Sequence, residues 1–292
     1  MIIIKVWGGL GNQMFQVALG LSLTSKGYMV KYDKNWLYQH KETIGENIID
    51  EVFNIQIQEA DETEISSVKK ESTNLIIKGG RKLGILKRHY LFEPESYRGE
   101  YKSKIMKRSD NMYLEGYWQA EEYFKDIKEE IYNAYQWKRH ISNESNDWYN
   151  QIKNEKQSVS VHVRLGDYNK PENIKTIGGI CNSTYYKKAF EYIEGKVNNP
   201  KYFLFSNEPE KAMEILGDRS CKIIDCNTSL NGWNDMFLMS VCSHNIIANS
   251  SFSWWGAYLN QFPQKIVIMP DQWTNDSVRK GMYVSGWKKM EF

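Results

Sequence analysis

The sequence predicts an α/β fold built on a largely parallel, doubly wound sheet. Between residues 158 and 269, short apolar runs typical of strands alternate with segments of helical spacing. Strands separated by single helices need crossover connections, and such connections produce parallel sheets. The chain also opens with a strand-like run joined to a helix by a glycine-rich turn. At 292 residues it can form one large α/β domain or two domains of about 150 residues.

The first half of the chain contains the less regular pattern. IIIKVW at residues 2–7 is apolar enough for a buried parallel strand. Residues 41–108 give mixed signals and receive no assignment. The other elements predicted here are a helix at 13–26, strands at 29–32 and 112–117, and a helix at 121–135.

The second half alternates clearly. A polar, helix-compatible stretch at residues 143–156 is interpreted as a linker, which divides the chain into domains 1–150 and 151–292 with a cleft between them. Strands are predicted at 158–163, 202–205, 222–224, 245–248 and 266–269, and helices at 185–196, 209–216, 233–240 and 253–259.

Composition limits the classes of function. The chain has 38 Lys and Arg against 36 Asp and Glu, a net charge of +2, which supplies no broad field for a polyanion such as DNA. Any anionic ligand must therefore be held locally. The 14% aromatic content, with 10 Trp and 19 Tyr, is compatible with platforms for sugar rings or with ordinary core packing.

The cysteines and apolar runs indicate the setting. Cys181, Cys221, Cys226 and Cys242 form no CxxC pair, so reduced thiols are expected rather than a zinc site or a disulfide framework. The chain starts directly with a strand-like run, and no apolar run reaches the length of a membrane span. We expect a cytoplasmic protein, with peripheral membrane contact left open.

The segment VHVRLGDY at residues 161–168 has the clearest chemical potential. His162 and Arg164 lie two residues apart near a strand end, so both face the same side, and Gly166 permits a turn towards Asp167. An arginine here can bind two oxygens of a diphosphate and stabilise a departing anion. The alternative is a surface pair of Arg164 and Asp167 beside a core histidine.

Three further polar segments follow predicted strands, where ligands bind in open α/β sheets. Asn249, Ser250, Ser251, Phe252 and Ser253 precede a helix, where the hydroxyls can cap the helix or leave its N–H groups for phosphate. The turn GGLGNQ at residues 8–13 resembles a phosphate-binding turn but fits neither GxGxxG nor a Walker sequence. Ser206 and Asn207 can read a base or ribose, or cap the next helix.

Taken together, these segments resemble the fucosyltransferases of glycosyltransferase family 11. The matching stretches lie in collinear order across both halves, and residues 41–108 match least. They are GGLGNQMFQ at 8–16, LEGYWQAEEYFKDI at 114–127, VHVRLGDY at 161–168, FSNEPEKA at 205–212 and the run 235–260 that contains NIIANSSFSWWGAYLN.

The resemblance implies a GT-B architecture, in which two Rossmann-like doubly wound domains face each other across a cleft. The C-terminal domain would bind GDP-fucose and the N-terminal domain would shape the acceptor side. Such enzymes convert GDP-β-L-fucose into an α-fucoside, commonly on the 2-hydroxyl of a galactose. No metal or other cofactor is expected, and the sequence has no obvious DxD motif of the kind that holds a metal with the diphosphate.

The resemblance also implies roles for individual residues. Arg164 would bind the β-phosphate, and His162 would support that geometry or contact the donor. Asp167 is the first candidate for the general base, with Glu115 as the second. The residues expected to contact the donor are Gly9, Gly11, Asn12, Gln13, Ser206, Asn207, Asn249, Ser250, Ser251, Phe252 and Ser253.

The chain departs from the family pattern at two positions. Leu165 stands where many members have a second arginine, and Asn207 stands where an aspartate is common. Two alternatives to fucosyl transfer remain, namely a GT-B transferase for another GDP-sugar and a sugar-nucleotide-binding protein without turnover. A bacterial surface glycan such as an O-antigen is the expected acceptor, while the exact acceptor and the oligomeric state stay open.

Overall fold

A computed structural model describes residues 1–69, 90–93, 99–107, 111–217, 219–276 and 279–291. These residues form two parallel sheets with helices on their faces. The four-stranded sheet has the order β2-β1-β4-β3, and the six-stranded sheet has the order β10-β9-β8-β5-β6-β7. All strand pairs given for the described residues are parallel, as the alternation of elements predicts.

The first sheet is centred on β1. This strand pairs on one side with β2, where Ile2 lies opposite Val30, and on the other with β4, where Ile2 lies opposite Met112. Its strands are β1 (Ile2–Lys5), β2 (Val30–Asp33), β3 (Tyr90–Phe92) and β4 (Met112–Glu115), and its helices are α1 (Leu10–Ser25), α2 (Asn35–Gln39), α3 (Lys41–Ile44), α4 (Ile49–Val52), α5 (Glu62–Lys69) and α6 (Lys128–Ala134).

The second sheet is centred on β5, which is buried along its whole length. Because helices cover both faces, its sequence SVSVHV places no residue at the surface. Its strands are β5 (Ser158–Val163), β6 (Lys201–Ser206), β7 (Cys221–Ile224), β8 (His244–Ile246), β9 (Val267–Pro270) and β10 (Lys288–Met290), and its helices are α7 (Asn143–Asn154), α8 (Pro171–Ile174), α9 (Ser183–Glu194), α10 (Pro209–Leu216), α11 (Trp233–Val241) and α12 (Ser251–Leu259).

The structure differs from the prediction in one helical segment and contains two further strands. The helix expected at residues 121–135 is two short 3₁₀ turns followed by α6, because the backbone at Phe124 leaves the helical region and its ring stacks on Trp255. The stretch at residues 143–156, which was interpreted as a helix-compatible linker, largely forms the helix α7, capped by the Ser142 hydroxyl. Strands β3 and β10 were not predicted. The domain boundary at residue 150 stays a prediction.

The unassigned stretch 41–108 is described only in part. It contains α3, α4, α5, strand β3 and a 3₁₀ turn at Ile105–Lys107. Residues 70–89, 94–98 and 108 lie outside the described residues. In the part of the chain that the structure describes, no helix is both long and apolar enough to cross a membrane.

One aromatic core joins the two halves of the chain. Phe15 of α1 packs against Trp254 and Trp255 of α12, at ring-centroid distances of 4.7 and 5.0 Å. Tyr135 meets Trp255 edge to face, and all four rings are buried. Aromatic clusters of this size contribute strongly to packing energy, so the halves are fixed relative to each other by an apolar interface beneath the cleft.

Candidate functional site

A cleft of about 1260 Å³ lies between the two sheets. It is lined by the loops that follow β1, β5, β6 and β8, at the carboxyl ends of those strands. The strand order reverses between β5 and β8, and ligands of open α/β folds bind at such a switch point. The cleft exceeds the roughly 300–1000 Å³ of an ordinary ligand pocket, so it has room for a sugar nucleotide and an acceptor together.

Arg164 faces this cleft just beyond β5. Its Nη2 lies 2.7 Å from Oδ1 of Asp167, and the two side chains are 35% and 45% exposed. The groups form an ion pair but are not aligned as a hydrogen bond. Because exposed pairs of this kind contribute little, the guanidinium can turn from Asp167 to a bound anion at small cost.

The turn that brings Asp167 back towards Arg164 requires glycine. Gly166 has a φ of +65°, and a β-carbon there would lie 2.5 Å from Nδ2 of Asn207. The preceding residue, Leu165, is buried in the core of the second sheet. The leucine that replaces the common second arginine therefore faces away from the cleft.

His162 lines the cleft as a neutral imidazole. Burial, together with the nearby positive charge of Arg164, lowers the pKa of His162 to about 3. Its Nδ1 is buried and has no hydrogen-bond partner among the described residues. A neutral ring beside Arg164 can accept or donate a hydrogen bond without adding a second positive charge.

Two helices begin at the same place in the cleft. Gly9 precedes α1 and Ser250 precedes α12, and neither helix has a side-chain cap on its first N–H groups. The contact is close because a β-carbon on Gly11 would lie only 2.6 Å from the backbone of Ser251. Asn12 links the two starts by accepting a 2.9 Å hydrogen bond from the Ser251 hydroxyl.

This convergence has an electrostatic consequence. Uncapped N–H groups and the positive ends of two helix dipoles point into one region, and Arg164 lies in the same cleft. Such an arrangement suits a diphosphate. Several predicted donor-contacting residues line this cleft, namely Gly9, Gly11, Asn12, Ser206, Asn207, Asn249, Ser250, Ser251 and Phe252.

Some of these residues also hold the loops in place. The Asn207 side chain accepts a hydrogen bond from the backbone N–H of Leu165, and the Ser206 hydroxyl accepts one from Glu208. Asn249 donates to the carbonyls of Ile177 and Trp273. Their contacts therefore connect the loop after β5 with those after β6 and β8.

Gln13 and Ser253 lie beneath the cleft rather than in it. Gln13 is fully buried, donates to the carbonyls of Gly8 and Asn47 and accepts from the N–H of Ile49. The Ser253 hydroxyl donates to the carbonyls of Ala248 and Ser250, which precede α12. We assign both residues to positioning rather than to the donor contact predicted for them.

Glu115, the second candidate for the base, lies outside the cleft lining. Its carboxylate accepts hydrogen bonds from Lys5 at 2.6 Å and from Tyr90 at 2.7 Å. Burial alone would raise the pKa of Glu115, but these two donors outweigh it and lower the pKa below its usual value. Asp167 remains the carboxylate beside Arg164.

Asp235 and Arg279 are among the charged residues of the cleft that were not predicted from the sequence. Part of the Asp235 side chain is accessible from the cleft. Burial of the rest raises the pKa of Asp235 to about 7, although a 2.7 Å hydrogen bond from Asn227 lowers it in part. Arg279 is 3% exposed and contacts Thr274 and Asp276. An acidic residue inside the apolar segment WNDMFLMSV of α11 was a usable signal for Asp235.

The two parallel sheets and the cleft between them form the GT-B fold found in glycosyltransferases. The solved structure of NodZ α-1,6-fucosyltransferase co-crystallised with GDP superposes with a TM-score of 0.51 at 12% identity, covering 87% of this chain and 91% of that one. Such a likeness shows the shared fold. The sequence is more specific, because the model of glycosyl transferase family 11 matches residues 1–291. The chain belongs to this family.

Two relatives from Escherichia coli match nearly the whole chain. An α-1,2-colitosyltransferase is 32% identical over 93% of this chain and 92% of its own length. The O-antigen biosynthesis glycosyltransferase WbnK is 28% identical over 96% and 97%. A galactoside α-(1,2)-fucosyltransferase 1 from Saimiri boliviensis boliviensis is 23% identical over 47% of this chain and 40% of its own.

Proposed function

We propose that this protein transfers L-fucose from GDP-β-L-fucose to the 2-hydroxyl of a galactoside, forming an α-1,2 linkage with inversion. The observation that carries the proposal is Arg164, which faces the cleft in which two uncapped helices begin. The α-1,2 linkage is supported by the names of relatives that transfer colitose and fucose. The O-antigen relative supports a bacterial surface glycan as the acceptor.

The reaction is a direct displacement at the anomeric carbon. The acceptor oxygen forms a bond to that carbon as the bond to the β-phosphate oxygen breaks, and GDP leaves with the electron pair. Arg164 and the first N–H groups of α12 stabilise the charge that develops on the diphosphate. Asp167 accepts the proton of the acceptor hydroxyl, and a metal ion is not required for these steps.

Asp235 supports guanine as the base of the donor. Two parallel N–H donors stabilise the charged form of a carboxylate in such packed surroundings, and the edge of guanine presents two such donors, N1–H and the N2 amino group. Uracil presents a single N–H on its corresponding edge. We therefore place the guanine beside Asp235 and Asn227, which line the cleft.

A second candidate function is transfer of another sugar from GDP. The α-1,2-colitosyltransferase relative favours colitose, which is L-fucose without the 3-hydroxyl. A binding protein without turnover is a weaker alternative, because such a protein would be expected to lose Arg164 or the segment 250–253, and both are intact.

One assay separates these functions. Release of GDP is measured with GDP-fucose, GDP-colitose and GDP-mannose against several β-galactosides, with and without EDTA, and the product linkage is read by NMR. The proposal predicts the highest kcat/KM with GDP-fucose, an α-1,2 product and no effect of EDTA. Preference for GDP-colitose would establish the second candidate, and inhibition by EDTA would contradict the metal-independent mechanism.

A further inference from the structure

The segment that follows β4 has an unusual backbone. Trp118 is almost fully buried and has a φ of +53°, in the left-handed region that bulky side chains avoid. Such a conformation is energetically unfavourable and is found preferentially at functional sites. It is retained here within the stretch 116–120, directly beside the cleft.

A buried carboxylate holds this segment in place. Oε2 of Glu93, directly after β3, accepts hydrogen bonds from the backbone N–H groups of Tyr117 at 2.7 Å and Trp118 at 3.0 Å. Gly116 lets the carboxylate approach, since a β-carbon there would lie 2.5 Å from Cβ of Glu93. These two hydrogen bonds fix the backbone at Tyr117 and Trp118.

The side chains fixed in this way face the cleft. Tyr117 and Gln119 both line it, and Tyr117 is the aromatic residue that the described part of the N-terminal half contributes to its wall. The Tyr117 ring stacks on Trp7 at 4.4 Å with an interplanar angle of 21°. Gln119 donates a 2.8 Å hydrogen bond to Asn12, which also accepts from Ser251.

We propose that Tyr117, backed by Trp7, is the platform on which the acceptor pyranose rests. The proposal builds on the transfer function proposed above and concerns the acceptor alone. The donor groups Arg164 and Asp235 belong to the second half of the chain, whereas Tyr117 belongs to the opposite wall. A β-galactoside presents C3–H, C4–H and C5–H on one face, and an aromatic ring covers such a face well.

The fixed ring determines how the acceptor is oriented. Because Tyr117 is already stacked and its backbone is already held, little conformational entropy is lost when the sugar binds. With its apolar face on the ring, the galactoside keeps its hydroxyl edge available to the polar groups of the cleft. The platform therefore selects pyranoses with an unbroken C–H face.

Kinetics of three variants test the proposal. Tyr117→Ala should raise the KM for methyl β-D-galactopyranoside about tenfold, whereas Tyr117→Phe should keep it within about twofold of the unaltered protein. The KM for GDP-fucose should stay unchanged in both, because the donor groups lie on the opposite wall of the cleft. Phe262→Ala, at an exposed ring outside the cleft lining, is the matched control and should change neither constant.

Saturation-transfer NMR provides a readout that does not depend on turnover. With GDP present, methyl β-D-galactopyranoside should receive saturation mainly at H3, H4 and H5, and this pattern should disappear in Tyr117→Ala. An unchanged acceptor KM in that variant would overturn the platform. A raised KM for GDP-fucose would instead place the donor on Tyr117, and absence of GDP binding to the unaltered protein would contradict the underlying function.

Discussion

Replacing Gly11 with alanine adds one methyl group where the starts of α1 and α12 meet. The new β-carbon would lie 2.6 Å from the carbonyl carbon of Ser251 and 2.7 Å from the backbone nitrogen of Phe252. Ordinary contacts begin at 3.4 Å, so the two helix starts must separate by about 0.8 Å, which is 3.4 minus 2.6. Both atoms are backbone, and no side-chain rotation can relieve the contact.

The magnitude follows from two opposing effects. Alanine favours the helix by up to about 1 kcal/mol relative to glycine, whereas overpacking costs about 1–3 kcal/mol. The net loss of stability is therefore about 0–3 kcal/mol, and the melting temperature falls by several degrees at most. Catalysis suffers far more, because displacement of a positioning element by about 1 Å can reduce kcat/KM about 100-fold.

The assay measures kcat/KM for fucosyl transfer together with the melting temperature. Gly195→Ala is the matched control, since its added β-carbon meets the nearest atom at 3.4 Å and lies outside the cleft lining. That control should leave kcat/KM unchanged. A Gly11→Ala protein with unaltered kcat/KM would refute the close meeting of the two helices and its role in the reaction.

Further substitutions test the charges of the cleft. Arg164→Lys should reduce kcat about 100- to 1000-fold, because it weakens the contact with the leaving diphosphate, whose departure is the harder step. Asp167→Asn should reduce kcat less. If steady-state kinetics gave the reverse order, proton transfer to Asp167 would be the harder step. Burial raises the pKa of Asp235 to about 7, and the contact with guanine requires the charged carboxylate. The affinity for GDP should therefore increase as the pH rises through 7, and GDP binding below pH 7 should release protons. Calorimetry in buffers of different ionisation enthalpy measures that release, which Asp235→Asn should reduce; an unchanged proton count in this variant would argue against the base contact.

Much of the fold could be predicted because periodicity reports burial directly. Residues 158–163 and 209–216 were predicted with the bounds that the structure gives to β5 and α10. The segment 121–135 was not, because apolar spacing in this stretch reflects packing of Phe124 against Trp255 rather than one continuous helix. That contact joins residues more than a hundred positions apart and leaves no local signal.

The residues of the candidate site were predictable where a reactive side chain directly follows a strand. Arg164 and Ser251 follow strands in well-marked segments, and both line the cleft. Asp235 was missed because its significance depends on burial, and Gln13 was placed in the cleft although its amide is used inside the protein. Local sequence indicates which groups can react, whereas tertiary packing decides which of them face the ligand.

A crystal structure of the protein soaked with GDP would show where the nucleotide binds and which groups hold its diphosphate. We expect the guanidinium of Arg164 to turn from Asp167 to the β-phosphate, with the first N–H groups of α12 on the same diphosphate and the guanine beside Asp235. A nucleotide bound elsewhere, with Arg164 still paired to Asp167, would contradict the account.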